Sequence, residues 1–84
     1  MQVINSGKVS IETKYFGPTN CQGARIKAIV SGESKRSIIV PWDYAKNTDE
    51  NHTAAALALC KKFEWDGKLV MGGTKNGYVF VFIS

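Results

Sequence analysis

The chain has 84 residues, 44% of them hydrophobic and 21% charged, close to the globular average and far from the composition of a disordered segment. Eleven Lys and Arg against seven Asp and Glu leave a formal charge of +4, which leans toward anionic partners without the dense basic clustering of dedicated nucleic-acid proteins. The length allows one domain, residues 1–84, and no apolar run nears the ~18 residues that span a bilayer.

Val9, Ile11, Thr13 and Tyr15 alternate with Ser10, Glu12, Lys14 and Phe16, the two-residue period of a strand with one face on a core, so residues 8–16 are predicted as a strand. Gly17-Pro18-Thr19-Asn20-Cys21-Gln22-Gly23 follows as a loop of turn-forming residues. Ala24, Ile26, Ala28 and Val30 alternate again until Ser31-Gly32-Glu33-Ser34 breaks the pattern. Ser37-Ile38-Ile39-Val40 is a short β-branched run closed by Pro41, read as a short third strand at an edge or a strand end.

Asn47 begins a helix, with Glu50 placed three residues later as in a capping box and with Asp49 suited to the positive end of the helix dipole. At 100° per residue His52, Ala55, Ala56, Leu59, Cys60 and Phe63 fall on one face, the face expected to pack on the sheet. Trp65-Asp66-Gly67 is the expected stop, with the glycine just past the last turn. A fourth strand at Lys68 to Met71, an Asn76-Gly77 turn of type I′ and a last strand Tyr78 to Ile83 complete the chain. The order β-β-β-α-β-β predicts an α+β fold: a mainly antiparallel five-stranded sheet with one helix on one face. One helix cannot cover five strands, so a second copy is expected as a possible partner through the Tyr78–Ile83 strand.

Among the chemistry-bearing residues, His52 is the only histidine, and the helix N-terminus favours its neutral form. A general base needs a partner within reach, and Cys60 lies two helical turns away, about 12 Å along the axis. No catalytic residue is assigned, and the chain is expected to be no enzyme. Cys21 and Cys60 lack the close spacing of metal-binding pairs and are read as free thiols in a cytoplasmic protein, with no metal and no cofactor expected. Asn51-His52-Thr53 fits the glycosylation pattern, which such a compartment leaves unused. Gly72-Gly73-Thr74-Lys75 lacks the spacing of a phosphate loop and leads into a strand.

Binding offers better material. Lys14, Arg25 and Lys27 project from the first two strands and Lys35 and Arg36 occupy a turn, with Tyr15, Phe16 and Trp42 nearby as stacking rings, a set suited to nucleic acid. Glu12, Glu33 and Asp43 interrupt it, and scattered lysines on a solvated sheet face are ordinary. Pro41-Trp42-Asp43-Tyr44 places two aromatics before the helix, either as interface anchors or with Trp42 plugging the open end of the core.

The stretches Thr13-Lys14-Tyr15-Phe16-Gly17-Pro18-Thr19-Asn20 and Gly23-Ala24-Arg25-Ile26-Lys27-Ala28, with Asp43-Tyr44-Ala45, Asn51-His52 and the Ala-rich helix, and Gly72-Gly73 with Gly77-Tyr78-Val79-Phe80, resemble small proteins encoded by bacteriophages and prophages. The resemblance runs from Ile11 to Phe82 and transfers no catalytic residue. It implies a protein acting inside a bacterial host cell, in the manner of the small phage inhibitors of host defence or nucleic-acid processing, including anti-CRISPR proteins. The positive charge argues against DNA mimicry and for an acidic protein patch, or the nucleic acid itself, as target. The expected contact surface is Thr19, Asn20, Gln22, Arg25 and Lys27 with Trp42 and Tyr44, because a polar loop on a rigid scaffold carries recognition without disturbing the core. The alternative, direct nucleic-acid binding, would use Lys14, Arg25, Lys27, Lys35 and Arg36.

Overall fold

The computed structural model describes residues 9–75 and 77–83, without the side chain of Ser34. It contains β1 (Ser10–Phe16), β2 (Arg25–Val30), β3 (Glu33–Pro41), α1 (Thr48–Lys62), β4 (Leu69–Gly73) and β5 (Gly77–Phe82). The five strands form one antiparallel sheet in the order β3-β2-β1-β5-β4, and α1 packs over β1, β2, β3 and β5. The α+β architecture expected from the order of elements is therefore the observed one.

The register explains which residues are buried. Ile11 faces Val30 and Phe80, and Thr13 faces Ala28 and Tyr78, so side chains of one parity across three strands share the helix side. Ile11, Ile26, Val30 and Leu59 are the largest fully buried side chains, each worth about 1.5–3 kcal/mol when withdrawn from water. Ala28, Ala55 and Ala56 are also fully buried, and their small size lets the helix sit close to the middle of the sheet. Trp42 and Trp65 pack against this core from opposite ends. Trp42 meets Tyr15 edge-on at 5.0 Å, and Trp65 stacks on Phe63 at 5.3 Å and meets Phe82 edge-on.

The main departures from the expected boundaries are the length of β3 and the end of the helix, and the strand order adds a further constraint. β3 is not short: it runs nine residues from Glu33, because the chain reverses within Ser31-Gly32, where Gly32 has φ +82°, leaving Glu33 free to pair with Val30. The helix stop is not Gly67. Phe63 is the C-cap and Glu64 takes the left-handed conformation at φ 57°, while Trp65 N–H donates to Cys60 O at 2.8 Å and Glu64 N–H to Lys61 O at 3.2 Å, a Schellman closure built on a non-glycine residue. Finally, β5 is interior, paired with β1 on one side and β4 on the other. Both backbone edges of the Tyr78–Ile83 strand are therefore in use within the chain, which leaves its open face, not its edge, for the second copy expected there.

Lys8, at the start of the first predicted strand, and Asn76, in the predicted Asn-Gly turn, lie outside the described residues. For Gly77 the structure gives another reason for glycine: a Cβ there would collide with the backbone carbonyl of Thr13, so β1 and β5 approach only because the side chain is absent.

Candidate binding face and adjoining loops

With the helix on one side, side chains of the opposite parity line the other face of the sheet. On β1 these are Ser10, Glu12, Lys14 and Phe16; on β2, Arg25, Lys27 and Ile29; on β5, Val79 and Val81; and on the outer strands Ile39 and Val70. Among the described residues no element packs on this face. Lys14 and Lys27 stand directly opposite each other in the β1–β2 register, an arrangement in which like charges repel and cost stability. Among the described residues neither they nor Arg25 takes part in an ion pair, whereas Arg36 pairs with Glu33 and Lys46 with Asp43. Phe16, at the end of β1, has Lys14 Nζ 5.5 Å and the Arg25 guanidinium 5.4 Å from its ring centre, within cation–π range. Three cations and one aromatic thus share one end of the open face, bordered by Ile29 and Ile39.

The two loops at this end are tied to the sheet. Trp42 N–H donates to Ala24 O at 3.0 Å, which places the β3–α1 connection beside the β1–β2 loop. In the latter, Thr19 holds the turn: its N–H donates to Gln22 O, and its hydroxyl accepts from the N–H groups of Cys21 and Gln22. Asn20 and Gln22 are exposed. The β3–α1 loop is organised from beneath by Asn51, which is buried. Its Oδ1 accepts from Asp43 N–H at 2.8 Å, and its Nδ2 donates to the carbonyls of Asp43, Lys46 and Asn47. With its amide committed to the loop, Asn51 has no role as a glycan acceptor in this fold. An open hollow of about 610 Å³ between Trp42, Tyr44, Lys46 and Ala54 lies over this support, and Tyr44 is 81% exposed.

The expected contact residues are thus brought to one end of the molecule, though not onto one plane. Arg25 and Lys27 lie on the open sheet face, Thr19, Asn20 and Gln22 form the rim, and Tyr44 stands beyond it. Trp42 takes the plugging role: it is partly buried against the core. The alternative nucleic-acid set is split. Lys14, Arg25 and Lys27 stay together, whereas Lys35 and Arg36 sit at the far end of the sheet. There Arg36 pairs with Glu33 at 3.0 Å and lies over the rings of Phe63 and Trp65 at 4.9 and 4.8 Å. Ile39 was not singled out as a contact residue, and Phe16 only as a stacking ring for nucleic acid, although alternation was enough to place it: once Ile11 and Thr13 point inward, Phe16 must point outward.

His52 is 2% exposed, with its Nδ1 sharing a 2.7 Å hydrogen bond with Thr13 Oγ1 and its ring 4.5 Å from that of Tyr78. Burial lowers its pKa, and the carboxylate of Asp49 pulls in the other direction; Tyr78 in turn donates to Asp49 at 2.6 Å. The group is a packed polar plug between helix and sheet. Cys60 is buried and its thiol is pushed up by burial, while Cys21 is exposed in the loop. No helix among the described residues is long and apolar enough to cross a membrane. Comparison with protein-family models, with curated proteins and with solved structures found no match, so the class defined is that of the fold: a five-stranded antiparallel sheet with one face covered by a helix and the other open among the described residues.

Proposed function

We propose that this is a non-catalytic binding protein that uses the open sheet face and its adjoining loops to cover an acidic protein surface, as a phage-type inhibitor of a host defence or nucleic-acid-processing complex. The observation that carries the reading is the cross-strand Lys14–Lys27 pair with Arg25 beside it, a like-charge cluster without an ion-pair partner among the described residues and bordered by Ile29, Ile39 and Glu12. Repulsion held on an open face is relieved when a partner supplies negative charge, and the aliphatic border adds contact area that a purely phosphate-binding patch would not need. The phage context comes from the resemblance of the sequence, and the inhibitory role rests on that resemblance.

Direct nucleic-acid binding is the second reading, favoured by Phe16 between two cations, the pairing of ring and positive charge that single strands use. Salt separates the two. Complexes with short single- or double-stranded DNA or RNA should be absent or should vanish steeply between low and physiological salt, whereas a protein target captured from bacterial lysate should remain bound. Lys14→Glu with Lys27→Glu should abolish that capture while preserving the far-UV circular dichroism. A nucleic-acid complex that is stable at physiological salt and lost in the same double variant would instead establish the second reading.

A further inference from the structure

The two edges of the sheet are unlike. β3 carries a register irregularity between the Ile29–Ser37 and Val30–Glu33 pairs, exposes Lys35 and ends at Pro41, all features that discourage a further strand from adding. β4, Leu69-Val70-Met71-Gly72-Gly73, has no charge, no proline and an unbroken register with β5. Thr74 N–H donates to Gly77 O at 2.8 Å and Ile83 N–H to Lys68 O at 2.9 Å. In an antiparallel pair these two bonds set the phase of the ladder: the backbone groups of Val70 and Gly72 face β5, and those of Leu69, Met71 and Gly73 point away from the sheet. Apolar surface gathers at the same edge. Of the nine large hydrophobic side chains exposed among the described residues, Leu57, Val70, Met71, Val81 and Ile83 lie on β4 or beside it, and a hollow of about 250 Å³ between Thr53, Leu57, Leu69 and Met71 runs along its helix side.

We propose that β4 is a self-association strand, pairing antiparallel with β4 of a second copy about a two-fold axis at Met71 to form a continuous ten-stranded sheet. The strand is complementary to itself. In the register centred on Met71, all six outward N–H and C=O groups of each copy, from Leu69, Met71 and Gly73, are used, in six hydrogen bonds between the copies. The bulky half then meets the glycine half, with Leu69 opposite Gly73 and Val70 opposite Gly72. An axis normal to the sheet keeps both helices on one side, so Leu57 and the hollow beside it face the mate. Charge does not oppose the pairing. The β1 lysines of the two copies are five strand spacings apart, about 24 Å at ~4.8 Å each, well beyond the ~8 Å screening length at physiological salt. Asp66 and Lys68 precede the strand and Lys75 follows it, so the flanking charges that meet are mixed in sign.

Sedimentation equilibrium over a concentration series tests this. The full chain should move from 9.2 kDa to twice that mass. Met71 is 39% exposed, so Met71→Lys should keep the monomer fold and its thermal midpoint while placing like charges opposite each other at the axis. The concentration for half-dimerisation should rise about tenfold or more. Met71→Glu should do the same alone, and an equimolar mixture of the two variants should recover the dimer at low salt, which only a Met71–Met71 contact explains. A wild-type chain that stays monomeric up to millimolar concentration overturns the proposal, as does a dimer that both variants leave unchanged.

Discussion

His52 shows how one buried side chain couples the fold to pH. Burial holds its pKa below the ordinary value of 6.5, so the unfolded chain takes up a proton at a higher pH than the folded one does. Stability is then complete above that unfolded value and falls as pH drops below it, down to the lowered folded pKa, because across that window the unfolded state binds more protons. Urea midpoints measured from pH 7.5 to pH 5 should decline with acidification, and the decline within this window should flatten in His52→Gln. A wild-type profile equally flat would mean that the imidazole takes up its proton as readily in the fold as in the unfolded chain. Asn51, one residue earlier, works differently: its amide substitutes for the backbone partners that the β3–α1 loop lacks, so it serves the loop and not the core.

At the scale of the element, the two ends of α1 were unequally legible. The N-terminal signal is local, because Asn47 and Glu50 exchange hydrogen bonds within four residues, and it placed the cap correctly. The C-terminal stop depends on packing. Phe63 and Trp65 stack against one another and Trp65 reaches Phe82, and this aromatic docking turns the chain at Glu64, three residues before the glycine that suggested a stop. A residue with a Cβ in the left-handed region costs about 1 kcal/mol relative to glycine. Glu64→Gly should therefore raise the unfolding free energy by about 0.5–1 kcal/mol in urea titrations, with the greater backbone freedom of glycine in the unfolded chain setting the lower end. A loss of stability would show that the Glu64 side chain contributes more than its backbone strain removes.

For the molecule as a whole, the two tryptophans report on opposite ends of one core. Trp42 closes the end beside the binding face and Trp65 the end beside Arg36, with Leu59, Ile11 and Phe80 between them. One core implies one cooperative transition. Thermal unfolding followed by fluorescence in Trp42→Phe, by fluorescence in Trp65→Phe and by far-UV circular dichroism in each should give coincident curves within each variant. Separate midpoints would mean that the loop end with Trp42, Asn51 and the hollow opens on its own, as a surface that reshapes on binding would require.

Alternation in β1 and β2, the capping box and the helical stripe from His52 to Cys60 are local patterns, and they were enough to define the elements, the α+β class and the parity that sends Lys14, Arg25 and Lys27 to the open face. Tertiary structure alone decided that β5 is interior, that Lys14 faces Lys27, that Arg36 is held over Phe63 and Trp65, and that β4 is an edge strand among the described residues. Each of these depends on which strands are neighbours and in what register, and pairing between segments distant in sequence leaves no periodic trace within either one.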